Sequence, residues 1–459
     1  MATKKSGIDM LNGPLLSRML LFALPLIASG VLQQSFNSVD VAVVGRFTGS
    51  HALAAVGSVG PVIGLIINLF IGISVGVNVV IANYIGQGNR QGVRNAVGAT
   101  VVLAGICGVA ALALGEGLAH RVLDVMGTPA EVVDDATSYM RIFLLGIPLM
   151  LLYNFGSAIL RSIGDTRRPF YALVAGGIVN VILNLVFVVG FGMGVHGVAW
   201  ATVISNGVNA AIITVILMRE HSDIRLVIKE IRPHFAQMRK IAAIGIPAGL
   251  QGAVFALSNT LILSAINSFG ATTTAGSAAA INYEFYCYFI CSAFAQTGVA
   301  FISQNYGAGQ MERVRRVFRL SLILAVAGTL IPNVLIAWKA NFFLSAFTTD
   351  ADVISVGTTR LMCVLLFQWI ACYYEVAGSA MRGLGFSMTP TVIVITGTCM
   401  LRLVWVLVFP LFGGEFWQLM LVYPSSWLLT DVMMWIAYRR VWRKVSARVS
   451  VSSAAGTGE

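Results

Sequence analysis

The sequence predicts an all-α membrane protein with twelve transmembrane helices in two lobes of six. Of its 459 residues, 57% are hydrophobic and only 11% are charged, whereas soluble chains carry roughly 25% charged residues. Apolar runs of about 20 residues, long enough to cross a bilayer, occur about twelve times. Similar motifs return in the two halves of the chain, which predicts a duplicated unit.

The predicted spans are continuous apolar runs, without the alternation of membrane-barrel strands. They cover residues 17–44, 52–80, 95–115, 137–159, 170–190, 195–218, 241–266, 275–302, 317–338, 357–380, 390–411 and 416–438. The first run is too long for the core of a cleavable signal peptide, so we expect it to remain as the first helix.

The net charge of +11 could suggest a nucleic-acid partner, but its distribution argues against one. Basic residues fall in alternate loops, and the intervening loops carry acids or no charge. The basic positions include Arg90, Arg94, Arg167, Arg168, Arg219, Arg239, Arg313, Arg316, Arg439 and Arg443. Basic loops stay on the cytoplasmic side, so we predict that both termini and the loop 219–240 are cytoplasmic.

Two pairs of motifs recur at one spacing. "IANYIGQGNRQGVRNAV" (81–97) matches "ISQNYGAGQMERVRRVF" (302–318), with Gly86 aligned to Gly307 at an offset of 221 residues. "YNFGSAILRSIGDTRRP" (153–169) matches "YEVAGSAMRGLGFSMTP" (374–390), with Pro169 aligned to Pro390 at the same offset. Six helices separate the copies, so the lobes run in parallel, related by an axis along the membrane normal.

This repeat predicts the domain organisation. We expect an N-terminal lobe over residues 1–220 (helices 1–6), a cytoplasmic linker over 221–240, a C-terminal lobe over 241–440 (helices 7–12) and a cytoplasmic tail over 441–459. Parallel repeats around a cavity favour a transporter with alternating access over a static scaffold.

The sequence offers no chemistry for an enzyme. It contains no phosphate-binding glycine loop with a lysine, which argues against an ATP-driven pump. It contains no nucleophile with a base and no zinc-ligand spacing. The six cysteines lie in apolar spans and are read as small buried residues. We therefore predict no catalytic residues, no metal and no cofactor.

Several motifs, taken in order, resemble the multidrug and toxic compound extrusion (MATE) transporters. They are "NSVDVAVVGRFTGSHALAAVG" (37–57), "IANYIGQGNR" (81–90), "SAILRSIGDTRRP" (157–169), "NVILNLVFVVGFGMGVHGVAWATVIS" (180–205) and "SQNYGAGQ" (303–310). The pattern is most similar to the DinF-like bacterial branch. The resemblance implies a twelve-helix, V-shaped, alternating-access antiporter of the bacterial inner membrane, surrounded by lipid. Because the two halves are fused in one chain, we expect a functional monomer. It would expel amphipathic, commonly cationic, organic compounds, including antibiotics, while protons or sodium ions flow inward.

Asp40 lies inside the first predicted span, and a carboxylate there is costly enough to predict a function. Asn180 and Asn184 share one face of the fifth span, and with Asn37 they could surround Asp40. In the resembling proteins this helix contributes to the ion site of the first half, so these four residues are the predicted coupling site for H⁺ or Na⁺. Some relatives carry an acid at the position of Asn184, so a relay of two acids is not expected here. Alternatively, Asp40 is an outer-interface charge near Arg46, and the asparagines only bridge helices.

The second lobe carries the acids Glu284 and Glu375 inside its spans. The resembling proteins often have Arg-Ile-Glu at the first of these, but Asn282 replaces the arginine. We therefore predict an unpaired Glu284 that attracts a cation or carries a proton, with Tyr283 and Tyr286 offering π faces to organic cations. The alternative is a Glu284 bonded to a neighbouring helix.

Three further predictions concern charges in the second half. Glu375 is expected to face the cavity or to pair with a basic residue such as Arg402. Asp431 is expected to be an interfacial charge. Arg141 and Arg360 occupy similar positions in the two halves, and both are expected to extend to the outer interface as structural residues.

Three other functions stay open at this stage. A lipid-linked sugar flippase of the same superfamily is the main alternative, although such chains have extra helices and strongly basic cavities. An uncoupled channel or scaffold would not need Asp40. A membrane-embedded enzyme lacks support from any paired nucleophile and base.

Overall fold

The computed structural model describes residues 7–126, 128 and 131–456. Eleven helices in this part of the chain are long and apolar enough to cross a membrane. Val133–Leu145 and Ile147–Ser162 supply a twelfth span, bent by 42°. The predicted all-α class and its twelve spans are confirmed, but the fourth span is not continuous. Pro148 stands in the first turn after the break, where its ring would clash with the preceding turn of an unbroken helix.

The described residues form seventeen α-helices. Those of the first half are α1 Leu15–Phe47, α2 Gly49–Gly86, α3 Arg90–Val125, α4 Val133–Leu145, α5 Ile147–Ser162, α6 Arg167–Asn184 and α7 Gly194–Met218. Those of the second half are α8 Phe235–Asn267, α9 Ala271–Gly307, α10 Met311–Trp338, α11 Ala340–Leu344, α12 Ala351–Cys363, α13 Ala371–Gly383, α14 Met388–Val394, α15 Leu401–Val408, α16 Phe416–Met420 and α17 Val422–Gly456.

Several spans change their helical winding part-way. The fifth span ends in a π-helical segment, Leu185–Gly190, and the eleventh contains another, Ile395–Met400, between α14 and α15. A 3₁₀ segment, Leu365–Ile370, joins α12 to α13. Such irregular winding re-aims side chains and frees backbone groups, and π-helical turns occur frequently at functional sites.

The chain divides into two compact units. Unit 1 contains the segment ending at Asp9 together with Ala28–Gly245, and unit 2 contains Met10–Ile27 together with Ile246–Glu459. The start of α1 therefore belongs to unit 2, and the start of α8 belongs to unit 1. Both helices contain a proline close to the residue at which the chain changes unit, Pro25 in α1 and Pro247 in α8.

The start of α1 packs against α9 within unit 2. Phe22 is fully buried, and its ring meets that of Phe301 edge-on at a centroid distance of 5.6 Å. The carbonyl oxygen of Met10 accepts hydrogen bonds from Asn305 Nδ2 at 3.1 Å and from Arg313 Nε at 3.2 Å. These contacts hold the N-terminal segment on the second unit.

The start of α8 packs against α2 within unit 1 by the close approach of two glycines. A Cβ atom at Gly76 would lie 2.3 Å from the carbonyl oxygen of Ile241, and one at Gly245 would lie 2.7 Å from Cα of Ile73. Small residues permit such close backbone packing between membrane helices. The glycine-rich composition therefore has a direct packing role at this crossing.

Gly76→Ala is expected to lower the thermal unfolding midpoint of the purified protein, because backbone atoms must move to admit the methyl group. Overpacking of this kind typically costs about 1–3 kcal/mol. Gly105→Ala on α3 is the matched control, because no atom lies within 4 Å of the Cβ position there. Equal midpoints for the two variants would contradict the proposed close packing.

Glu220, two residues after the end of α7, forms an ion pair with Arg168 within unit 1. Arg168 Nη1 donates to Glu220 Oε2 at 2.6 Å, and the backbone N–H of His221 donates to Oε1 at 3.1 Å. Burial acts to raise the pKa of Glu220, but the bonds from Arg168 and His221 outweigh it and leave the pKa below its usual value. Glu220 is therefore charged and paired at neutral pH.

The stabilisation from Glu220 is expected to depend on pH. A lowered folded-state pKa contributes stability that is fully present above the unfolded value of about 4.3 and is lost as pH falls through the folded value. The difference in unfolding midpoint between wild type and Glu220→Gln should thus be largest near pH 7 and shrink below about pH 4. A difference that grows on acidification would contradict this account.

Candidate functional site

Asp40 and two asparagines form a polar cluster between α1 and α6 in unit 1. Asn184, the last residue of α6, donates through Nδ2 to Asp40 Oδ1 at 2.5 Å and to Asn180 Oδ1 at 3.2 Å. Asn184 is fully buried and Asn180 is 6% exposed, while Asp40 is half-buried. The structure thus brings together three of the four predicted coupling residues.

Acceptor oxygens dominate this cluster. Asn184 Oδ1 is buried and has no hydrogen-bond donor among the described residues. It belongs to the amide whose nitrogen bonds Asp40. A carboxylate and an unsatisfied amide oxygen side by side are the ligands expected for a proton or a hard monovalent cation. The arrangement can accept a positive charge.

The cluster lies beside an irregular stretch of helix and is open on the side of α1. The π-helical segment begins directly after Asn184. Asn37 lies one turn before Asp40 on α1, but its side chain is exposed, and within the described structure no hydrogen bond joins it to the cluster. Its role in the coupling site stays a prediction.

Glu284 is paired, which corrects the prediction that it lacks a partner. Arg360 Nε donates to Glu284 Oε1 at 2.6 Å, and Arg360 Nη2 donates to Oε2 at 2.9 Å. Arg360 Nη1 donates to Ser277 Oγ at 2.7 Å. Gln368 Nε2 bonds the backbone oxygen of Glu284 at 2.9 Å. The arginine missing at position 282 is replaced by one from another helix, α12.

The prediction that Arg360 extends to the outer interface is wrong for the same reason. Arg360 is 1% exposed, because its charge is satisfied by Glu284 inside unit 2. Arg141, the similar position in the first half, is half exposed and lies 3.4 Å from Glu116. Arg360 lies only three residues inside the predicted span 357–380, so no signal in the sequence pointed to this buried pairing.

The two predicted tyrosines differ in their surroundings. Tyr283 packs its ring edge-on against Phe343 and Phe347, and its hydroxyl donates to the carbonyl oxygen of Phe343 at 2.7 Å. Tyr283 is thus a packing residue beside α11 in this structure. Tyr286 is half-buried. The π-face role predicted for both tyrosines is not tested by these contacts.

Glu375 and Asp431 make contacts that the sequence did not reveal. Tyr288 donates to Glu375 Oε1 at 3.4 Å, while Arg402, the suggested partner, donates to Asn259 Oδ1 at 2.7 Å. Asp431 accepts the backbone N–H of Tyr374 at 2.9 Å. It therefore caps the first turn of α13 from another helix. Whether Asp431 lies at the membrane interface stays a prediction.

The fold and the polar clusters together define a multi-pass membrane protein with ionisable groups inside its helices, as transporters have. The MatE family model matches residues 25–186 and again residues 247–408, more than half of the chain in two copies. The chain belongs to the MatE family of membrane transporters, so it is a transporter and not an enzyme.

Known relatives and solved structures are similar to this chain over most of its length. The probable multidrug resistance protein YoeA of Bacillus subtilis (strain 168) is 28% identical, covering 93% of this chain and 94% of its own. The FAD transporter of Shewanella oneidensis (strain MR-1) is 25% identical, covering 83% and 82%. A crystal structure of MATE in complex with MaL6 has a TM-score of 0.90 at 21% identity, covering 97% and 100%. This last similarity shows the shared fold.

Glu284→Gln is expected to destabilise the protein strongly, because it leaves the Arg360 charge buried without its counter-charge. Breaking one side of a buried pair typically costs about 3–5 kcal/mol. Glu116→Gln breaks the exposed pair with Arg141 and should cost at most about 1 kcal/mol. Thermal unfolding in detergent compares the two variants, and equal losses would contradict the assigned pairing.

Proposed function

We propose that this protein is a secondary active multidrug efflux antiporter. It exports amphipathic, cationic organic compounds in exchange for protons or sodium ions that move inward. Membership of the MatE family and the name of the relative YoeA support multidrug efflux. The single observation that carries the coupling is the bond from the buried Asn184 to Asp40.

The coupling step follows from charge at Asp40. The side-chain N–H of Asn184 stabilises an ionised Asp40, and the unsatisfied Oδ1 of the same amide favours a bound cation. Binding of a proton or sodium ion neutralises the carboxylate and weakens its hold on α6. A change in contact strength at this point shifts the equilibrium between two packings of α1 and α6, because a ligand moves a conformational equilibrium by its differential affinity.

The membrane location is part of the same proposal. The proposed location is the inner membrane of a bacterium, and the basic loops support a cytoplasmic position for both termini by the positive-inside rule. The chain works as a monomer among membrane lipids, since both repeat units lie on one polypeptide. The DinF-like branch stays a prediction from the sequence motifs.

A lipid-linked sugar flippase is the second candidate, and one observation favours it. Among the residues of unit 2 whose burial the structure describes, Arg360, Arg382 and Arg402 are buried arginines. Such basic groups suit cargo with phosphate groups, as lipid-linked sugars have. Efflux ranks first because Glu284 neutralises the charge of Arg360 and because the polar cluster of unit 1 offers a site for a coupling ion.

The test is ethidium transport by inside-out vesicles, with pH and sodium gradients imposed separately. Wild type should respond to one gradient, and Asp40→Asn should abolish that response because an amide cannot carry the charge change. Glu312→Gln is the control, since it removes an exposed acid that pairs with Arg316 at the protein surface. Protein amount in the membrane is measured for each variant.

Normal gradient-dependent transport by Asp40→Asn would overturn the coupling assignment. No movement of ethidium by wild type under either gradient would raise the flippase candidate above efflux. The ion whose gradient drives wild-type transport is identified by the same measurement.

A further inference from the structure

Arg402 carries a buried charge that only neutral groups bond. It is 1% exposed, and within the described structure no carboxylate lies within ion-pair distance of it. Nη1 donates to Asn259 Oδ1 at 2.7 Å, and Nε donates to Ser426 Oγ at 3.3 Å. A guanidinium stays protonated in proteins. The charge is therefore held without a counter-charge of its own.

The neighbouring charges do not balance it. Arg402 and Arg360 both lie against the ring of Tyr423, at 4.7 and 5.4 Å from its centroid. Glu284 is the acid whose field reaches Arg402, but both of its oxygens bond Arg360. Two positive charges thus share one negative charge. Contacts with aromatic rings recover only part of the solvation that a buried guanidinium loses.

Two hydrogen-bond donors at the Arg402 guanidinium have no acceptor among the described residues. Arg402 Nη2 and Asn259 Nδ2 make no hydrogen bond within the described structure, although the two side chains are bonded to each other. Asn259 lies on a half-buried face of α8. A guanidinium and an amide N–H side by side match the two oxygens of a carboxylate or a phosphate.

The repeat gives an independent reason to assign a site here. The two family matches, residues 25–186 and 247–408, are 222 residues apart at both their starts and their ends. At that offset Arg402 corresponds to Asn180, and Asn259 corresponds to Asn37. The position that Asn180 occupies in the polar cluster of unit 1 therefore carries a base in unit 2.

We propose that Arg402 and Asn259 form a binding site in unit 2 for one oxyanion group, a carboxylate or a phosphate. Asn259 and Ser426 hold the guanidinium when no anion is bound, and the anion enters when α8 moves away from α15. The group belongs to a small anion or to the cargo itself, in which case zwitterionic compounds are the preferred cargo. Only the statement about cargo rests on the proposed efflux function.

Binding is tested on the purified full-length protein by thermal unfolding. Benzoate or inorganic phosphate is added against sodium chloride at equal ionic strength. The wild-type midpoint should rise along a saturable curve for at least one of them, which also identifies the oxyanion. Arg402→Gln should lose the rise, and Arg402→Lys should keep a weaker one. The control Arg316→Gln, an exposed residue, should behave as wild type.

Two results would overturn the site: no saturable rise in wild type with either anion, or a full rise in Arg402→Gln. Should Arg402→Gln not fold, Asn259→Leu replaces it, because it removes the amide donor and keeps the charge. A full rise in that variant would likewise overturn the paired site.

A transport measurement shows whether the bound oxyanion is a free anion or a group on the cargo. An amphipathic amine that carries a carboxylate is compared with its methyl ester. If the cargo supplies the group, Arg402→Lys should raise KM for the acid by about tenfold and leave the ester unchanged. Equal changes for both compounds exclude the cargo as its source. If wild type exports neither compound, the efflux proposal fails, and the binding measurement still decides the site.

Discussion

The cost of an ionised side chain inside a bilayer governs how this chain pairs its polar groups. Glu284 meets Arg360, and Asp40 meets Asn184, although the members of each pair lie far apart in the sequence. Each bond therefore fixes which helices face one another, in a solvent where apolar packing alone discriminates poorly. The same bonds that allow charges to exist in the interior also set the register of the helices around them.

The duplicated units share a backbone plan but differ in charge. In unit 1 a carboxylate lies among amides, an arrangement that accepts a positive ion. In unit 2 the corresponding region contains Arg402 bonded to an amide, an arrangement that accepts a negative group. Duplication supplies two similar frameworks, and substitution within each framework changes only a few side chains. One fold can in this way present opposite charges to a single transported molecule or to two different ones.

Hydropathy and the repeat were sufficient to predict the class of fold, because both depend on composition and order along the chain. The Asp40 and Asn184 contact was also predictable, since helical periodicity and the family resemblance put the residues on suitable faces. The partner of Glu284 was not, because pairing across helices depends on the rotation of α12 about its axis. The cap that Asp431 gives to α13 was missed likewise, since capping is normally supplied by a residue next to the helix.

The exchange of helix starts between the units has a consequence for the order of synthesis. Phe22 packs on Phe301 within unit 2. At 5–20 residues per second, the ribosome needs roughly 15 to 55 s after Phe22 to reach Phe301. The beginning of α1 must therefore wait in the membrane, without its native neighbour, until α9 has been made. Unit 1 in turn lacks the start of α8 until the ribosome has translated the linker. Unit 1 can be completed once Gly245 has been made, whereas unit 2 must keep its first segment, Met10–Ile27, until the end of the chain is synthesised.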